Sequence, residues 1–218
     1  MSTPGQDRLC VLLVSHTLDR GGLEQAVLAT AEGLDKRRFD VHVAYFVGGD
    51  TAVRLGQIPG VHAVHITTPH RAGRLRALTA LAKQIGADIL HNHFCWYGLP
   101  SAVLSGARRM ETVHNLYSWF TPAQRVAYAF NCLLAERLIA VSSAVRTYTA
   151  RRFPPAAHRR WDIVHNGIDL QRYRRTEVQD LRSSLGLNPE HVVAGFSGRL
   201  EEEKGVAHLL DIAGMLLD

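Results

Sequence analysis

Three histidines stand at the ends of two short apolar segments, where they could act on a bound molecule. His91 and His93 belong to Asp-Ile-Leu-His-Asn-His at 88–93, and His114 closes Glu-Thr-Val-His at 111–114. Residues two apart on a β-strand share a face, so His91 and His93 would point the same way. Such imidazoles either bind a metal ion or exchange hydrogen bonds and charge with a substrate. A buried, hydrogen-bonded structural role is the competing interpretation, above all for His91.

A metal ion is the minority interpretation of these histidines. No carboxylate or cysteine stands at a recognisable ligand spacing from them. The sequence also lacks an Asp-x-Asp pair, a Walker loop, a Gly-x-Ser-x-Gly and a complete Gly-x-Gly-x-x-Gly. We therefore expect no bound metal and no cofactor, and we retain a metal-dependent hydrolase built on the three histidines as an alternative.

Two glycine-containing loops follow apolar segments elsewhere in the chain. Gly21 and Gly22 lie in Ser-His-Thr-Leu-Asp-Arg-Gly-Gly-Leu-Glu at 15–24, between an apolar run and a helix-period segment. They would let the backbone approach a ligand and leave helix N–H groups aimed at it. Asn166-Gly167 is a strong turn signal. A turn without any ligand is the simpler interpretation of either loop taken alone.

A third motif lies near the C-terminus, where Gly-Phe-Ser-Gly-Arg-Leu-Glu-Glu-Glu-Lys-Gly occupies 195–205. It combines Arg199 and Lys204 with backbone N–H groups and a helix expected to open at about Gly205. This combination suits a diphosphate. The alternative is a solvated charged turn before an ordinary helix.

The elements that must position these residues follow an α/β pattern. Apolar runs alternate with helix-period segments, which predicts a Rossmann-like parallel sheet with helices on both faces. We expect one domain over 1–170, a linker over 171–190, and over 191–218 the truncated start, a βα unit, of a second Rossmann-like domain. Strands are predicted at 9–15, 40–46, 61–66, 88–93, 111–114, 138–141, 162–165 and from Val192. Helices are predicted after Gly22, at 74–85, from the capping box at 121–124, from Ser143 and from Gly205.

Composition narrows the class of partner. The net charge is +5, yet no zinc-finger spacing or RNA-binding aromatic motif accompanies the arginine clusters, so nucleic acid is not expected. Phosphate-bearing substrates or an anionic membrane surface fit better, the latter through a basic helix at 71–83. Three widely spaced cysteines, Cys10, Cys95 and Cys132, are interpreted as reduced packing residues of a cytoplasmic protein, peripheral at most to the inner face of the membrane.

In this order the motifs resemble those of retaining glycosyltransferases of the GT-B fold, the large family 4. The resembling segments are Gly21-Gly22-x-Glu24, Asp88 to His93, Thr112-Val-His114, Asn166-Gly-Ile-Asp169 and Gly198-Arg-Leu-x-x-x-Lys-Gly205. The resemblance implies metal-independent transfer of a sugar from a nucleotide-diphosphate sugar to an acceptor, with retention of anomeric configuration.

The resemblance also implies residue roles. His114 would touch the transferred sugar as the catalytic residue, and Arg199 with Lys204 would bind the donor diphosphate. The acceptor side and the cleft would be lined by Gly21, Gly22, His93, Asn166 and Gly167. The acceptor would be a glycan, a lipid-linked sugar or a small molecule.

The family's paired glutamates would lie beyond Asp218, which predicts that this chain alone is inactive. The missing C-terminal half would have to be supplied in cis or in trans. A non-catalytic acceptor-binding subunit of a split glycosyltransferase is therefore a second alternative.

Overall fold

The computed structural model describes residues 8–171, 181–188, 190–198, 200 and 202–217. The chain divides into two compact units, Met1–Asp169 and Leu170–Asp218. Arg199, one of the residues assigned to the diphosphate, lies outside the described residues.

Each predicted apolar run between 9 and 165 forms a strand of one parallel sheet. The strands are β1 (Leu9–Leu18), β2 (Phe39–Gly48), β3 (Val61–His65), β4 (Ile89–His93), β5 (Arg108–Val113), β6 (Arg137–Ala140) and β7 (Arg160–Ile163). They pair in parallel in the order β3-β2-β1-β4-β5-β6-β7. The predicted α/β fold with a parallel sheet is confirmed.

Helices connect the strands. In the first unit they are α1 (Gly22–Gly33), α2 (Asp50–Leu55), α3 (Arg71–Gln84), α4 (Gly98–Ser105), α5 (Pro122–Leu134), α6 (Ser143–Arg152) and α7 (Pro154–Ala157). The described part of the second unit contains α8 (Leu181–Ser184), a 3₁₀ turn (Glu202–Lys204) and α9 (Val206–Leu217). The short helices α2, α4 and α7 were not predicted, because so few turns give little periodicity.

The two faces of the sheet carry separate apolar clusters. Alternate residues of β1 and β2, such as Leu13 and Val43, pack with α1 and α2. Their neighbours, such as Leu12 and Ala44, pack with α3 and α4. A third cluster joins β5 and β6 to α5, α6 and α7 around the buried ring of Tyr128. The sheet is therefore covered on both faces, as near-continuous apolar strands require.

Helix α3 is the basic helix expected at an anionic membrane surface, and part of its apolar stripe packs on the sheet. It starts at Arg71, three residues before the predicted start, and Leu78 and Ala82 on its apolar stripe are buried against the sheet. These two residues are covered because α3 is the crossover helix between β3 and β4, whereas Leu75 and Ile85 on the same stripe are half-buried. Among the described residues, no helix is both long and apolar enough to cross a bilayer.

The strand predicted from Val192 is not formed. Residues 191–197 have no regular secondary structure. A β-strand is held by hydrogen bonds to a neighbouring strand, and the described part of the second unit contains none. The helix predicted after Gly205 is present as α9.

The capping box predicted from the sequence is present at the start of α5. Thr121 Oγ1 accepts a hydrogen bond from the N–H of Gln124, and the Gln124 side chain accepts one from the N–H of Thr121. We expect Thr121→Ala to lower the free energy of unfolding by about 1 kcal/mol, because a cap is lost. Thr121→Ser keeps the hydroxyl and should stay near wild type in urea denaturation. Equal losses in both variants would contradict the capping role.

Candidate active site

The strand order creates a crevice at the carboxyl edge of the sheet. After β1 the chain continues to β2 and β3 on one side, whereas β4 leads to β5, β6 and β7 on the other. Ligands of open α/β sheets bind at this reversal, beyond the carboxyl ends of the two adjacent strands. Here these strands are β1 and β4, which pair from Val11 with Ile89 to Ser15 with His93.

A groove of about 590 Å³ lies at this place. Helix α1 forms one wall, from Gly22 to Thr30. The opposite wall consists of strand and strand-end residues, namely His91, His93, Thr112, His114 and Ile139. The segment 164–168, which follows β7 and includes Asn166 and Gly167, closes the lining. The structure thus brings together residues that three separate motifs singled out.

The histidines form a hydrogen-bonded row within the groove. His91 Nε2 lies 2.7 Å from Thr112 Oγ1. His93 Nδ1 lies 3.0 Å from His114 Nε2. The rings of His91 and His93 are 4.2 Å apart between centroids. Among the described residues, the nitrogens of these three rings do not form a group close enough to hold a metal ion together.

The histidines of this row are neutral at pH 7. Burial, and next the nearby His114, lower the pKa of His91 to about 4. Burial lowers the pKa of His114 to about 4 as well. For His93, burial followed by the two neighbouring imidazoles lowers the pKa well below its ordinary value. The groove therefore offers hydrogen bonds from neutral rings rather than positive charge.

One shared proton decides what the pair offers a ligand. The second nitrogens of the two rings, His93 Nε2 and His114 Nδ1, are buried and have no partner among the described residues. If His93 Nδ1 donates to His114, then His114 carries its own proton on Nδ1 and His93 Nε2 accepts. The reverse tautomers exchange these roles. Each state gives one free donor and one free acceptor.

A buried polar pair supports the histidines from the other face of the sheet. Asn92 and Glu111 are opposite each other on β4 and β5, and Asn92 Nδ2 donates to Glu111 Oε2. Asn92 Nδ2 also donates to the carbonyl of Cys95 at 3.0 Å. Both side chains are almost fully buried, Asn92 at 0% and Glu111 at 2% exposure. Burial raises the pKa of Glu111 to about 8, so the carboxyl is protonated at pH 7.

Helix α4 begins at a glycine that lies directly against the Asn92 side chain. A Cβ built on Gly98, at the start of α4, would lie 1.9 Å from Asn92 Oδ1. Only glycine lets the first turn of α4 approach the amide this closely. Asn92 is therefore fixed by Glu111, by the Cys95 carbonyl and by the backbone of α4.

The glycines after β1 place the start of α1 beside the groove. Strand β1 continues to Leu18, beyond the predicted end at Ser15, and α1 begins at Gly22. No side chain caps this helix start. A Cβ on Gly21 would overlap the carboxylate of Glu24, which folds back over that position. Gly22 has no atom within 4 Å of such a Cβ, so its space is open.

Lys204 belongs to the second unit. It ends the 3₁₀ turn Glu202–Lys204 and is exposed. Gly205, with φ of 69°, takes the left-handed conformation and leads into α9 at Val206. A lysine beside the first N–H groups of a helix is an arrangement that suits an anion.

The sequence interpretation overlooked two supporting residues. Asn92 lies within the Asp88 to His93 motif but was given no role, and Glu111 was noted only as part of a strand. The alternation of side chains along β4 and β5 could have identified them. A polar residue between two groove-facing positions must lie on the opposite, buried face of the sheet. A carboxyl placed there has to be neutral or paired.

Comparisons with known proteins agree with this fold and groove. Glycosyltransferase Family 4 matches residues 20–172, which include the whole described lining of the groove. The chain belongs to glycosyltransferase family 4, and its fold is that of a GT-B glycosyltransferase domain.

The matches with individual relatives cover a larger share of this chain than of each relative's own length. Alpha-maltose-1-phosphate synthase of Mycolicibacterium smegmatis is 27% identical over 71% of this chain and 46% of its own length. D-inositol 3-phosphate glycosyltransferase of Mycobacterium marinum is 27% identical over 90% of this chain and 50% of its own length. The chain spans about half the length of the curated relatives that it matches.

Solved structures show the same fold. Anabaena Alr3699/HepE, in complex with UDP and glucose, superposes with a TM-score of 0.66 at 20% identity. The likeness covers 82% of this chain and 50% of that chain.

Glu111 makes stability depend on pH. Its folded-state pKa of about 8 exceeds the ordinary 4.5, so the native state binds more protons than the unfolded state between these values. Raising the pH through this window therefore favours unfolding. We expect Glu111→Gln to gain stability relative to wild type between about pH 5 and about pH 9, by an amount on the order of a few kcal/mol.

Thermal melts followed by circular dichroism at both ends of the window measure this gain. Glu32→Gln, which changes an exposed carboxyl on α1, is the matched control and should show no such trend. A pH-independent difference between Glu111→Gln and wild type would show that Glu111 is ionised in the folded chain.

Proposed function

We propose that the chain carries the acceptor-binding domain, and the beginning of the nucleotide-binding domain, of a glycosyltransferase that uses a nucleotide-diphosphate sugar. The proposal rests on one observation. The start of α1, the His93–His114 pair and the Asn166-Gly167 segment line a single groove at the reversal of strand order. Family membership supports the reaction class.

His114 is assigned to the transferred sugar. Its neutral ring donates or accepts one hydrogen bond through Nδ1, in step with the proton that it shares with His93. A neutral ring can bind a hydroxyl of the sugar without competing for the proton released by the acceptor. His93 is a positioning residue, because it fixes the tautomer of His114 and lines the acceptor side.

Lys204 and Arg199 are assigned to the diphosphate. Transfer with retention and without a metal ion requires protein cations and helix N–H groups to stabilise the departing nucleoside diphosphate. Lys204 stands directly before α9, where both kinds of group are adjacent. UDP in the complex of the Anabaena structure supports a uridine nucleotide as the first donor to test.

A phosphorylated polyol is the acceptor class that we favour over a lipid-linked sugar or a longer glycan. The names of two relatives contain a phosphorylated sugar or polyol. The start of α1 lacks a side-chain cap, so its first N–H groups can bind a phosphate once the Glu24 carboxylate moves aside.

The two other functions receive less support. A hydrolase would need metal ligands converging in the groove, whereas His91, His93 and His114 bond to Thr112 and to one another. A non-catalytic acceptor-binding subunit shares the groove but needs no nucleotide. Nucleotide binding therefore separates that alternative from the glycosyltransferase.

Isothermal titration on the chain tests the two halves of the assignment separately. We expect His93→Ala, which removes a ring from the acceptor side of the groove, to weaken binding of a phosphorylated inositol roughly tenfold, the value of one hydrogen bond, and to leave UDP binding unchanged. His158→Ala, an exposed histidine outside the groove, is the control. If inositol phosphate binds His93→Ala and wild type equally, the assignment of the acceptor to this groove is wrong.

Lys204→Ala should have the opposite selectivity. Loss of a charge-assisted contact is expected to weaken UDP binding about tenfold or more, and the effect should shrink as salt increases. Lys83→Ala, an exposed lysine near the end of α3, is the control. Absence of UDP binding to wild type at low salt would favour the non-catalytic subunit.

A further inference from the structure

A second cluster of potential ligands lies away from the groove, where β1, β2 and β3 begin. Cys10 pairs with Asp40, and His42 pairs with His62. Register and alternation put the four side chains on one face of the sheet, opposite the face that carries His91 and His93. They are also at the amino edge, whereas the groove is at the carboxyl edge.

The ligand atoms of this cluster are close together. The Cys10 sulfur, a carboxylate oxygen of Asp40 and a ring nitrogen of His42 all lie within 4.8 Å of one another. Asp40 Oδ2 is 3.2 Å from His42 Nε2, and Asp40 Oδ1 is 3.7 Å from His62 Nε2. The two imidazoles are stacked, with centroids 4.7 Å apart. In a tetrahedral zinc site, bond lengths of 2.0–2.3 Å separate ligand atoms by about 3.5 Å. A contraction of roughly 1 Å would therefore close Cys10, Asp40 and His42 around an ion.

Burial differs among the ligands in a way that suits entry of an ion from solvent. Cys10 is 7% exposed, and the His42 side chain is 13% exposed. The Asp40 side chain is 32% exposed, and that of His62 is 60% exposed. The first two form the inner wall of the cluster, whereas His62 lies on its solvent side.

Charge around the cluster also favours a cation. Asp88 Oδ2 accepts the backbone N–H of Cys10 at 2.7 Å, which adds a second carboxylate beside Asp40. Neither carboxylate has a lysine or arginine partner among the described residues; Arg38 lies over the ring of Phe39 instead. A divalent cation would offset this negative charge by binding the Cys10 thiolate and the Asp40 carboxylate together.

We propose that Cys10, Asp40, His42 and His62 bind one zinc ion. A thiolate, a carboxylate and two imidazoles form a donor set that zinc accepts in tetrahedral geometry. On binding, the Cys10 thiol loses its proton to water and the sulfur bonds to the metal. The ion links the first residues of three neighbouring strands and takes no part in the chemistry of the groove.

Cobalt substitution tests the sulfur ligand directly. Tag-free chain is titrated with Co²⁺, and we expect a thiolate-to-cobalt charge-transfer band together with the intense visible bands of tetrahedral cobalt. Zinc should displace the cobalt and remove both. Cys10→Ser should lose the charge-transfer band, whereas Cys132→Ser, a second buried cysteine outside the cluster, should keep it.

Zinc affinity tests the other ligands. Loss of an outer-shell partner alone weakens metal sites 10–100-fold, so we expect Asp40→Asn and His42→Gln to weaken binding by at least about 100-fold in a chelator competition. His158→Gln should bind zinc as wild type does. Zinc should also raise the melting temperature of wild type and not that of His42→Gln, which keeps the test valid if Cys10→Ser fails to fold.

Two results would overturn the proposal. One is a cobalt spectrum of wild type without a thiolate band, which would indicate only adventitious histidine sites. The other is a band that persists in Cys10→Ser, which would place the metal at another cysteine.

Discussion

The register between β4 and β5 is the constraint on which the groove depends. Asn92 and Glu111 stand opposite each other and hydrogen bond on one face. Since side chains alternate, His91, His93, Thr112 and His114 must then face the groove. A slip of one residue would expose the polar pair to the groove and bury the histidines in the apolar cluster behind the sheet. The hydrogen bond between the protonated Glu111 carboxyl and the Asn92 amide thus fixes this register. Apolar residues at the same two positions could not do so, because they pack in either register.

The same low-polarity surroundings set the chemistry on both faces. Burial keeps Glu111 protonated and the three histidines unprotonated, so the centre of the site carries no net charge at pH 7. A neutral centre offers a ligand hydrogen bonds and no charge of its own.

Much of this architecture could be predicted from the sequence, because the signals are local. Apolar runs gave every strand of the sheet, and the Thr121–Gln124 capping box marked the start of α5. His93 and His114 could be assigned to one edge since both follow parallel strands. What could not be predicted depends on contacts between distant segments. The Asn92–Glu111 bond needs the pairing of β4 with β5, and the segment at Val192 looks like a strand although the described chain offers it no partner. The partly buried stripe of α3 likewise follows from packing, whereas its composition alone resembles an interfacial helix.

Parallel pairing of the strands brings different groups together at the two edges of the sheet. At the carboxyl edge, strand ends and helix starts converge, so side chains there meet backbone N–H groups and an open groove. At the amino edge, strands begin after loops that enter from the helices, and side chains of adjacent strands meet one another directly. Cys10 and Asp40 become neighbours only because β1 and β2 pair in parallel from their first residues. Strand β1 joins the two places, with Cys10 near its start and Ser15 beside His93. Any ion that fixes the starts of β1 and β2 would therefore also restrain the strand against which β4 and its histidines are aligned.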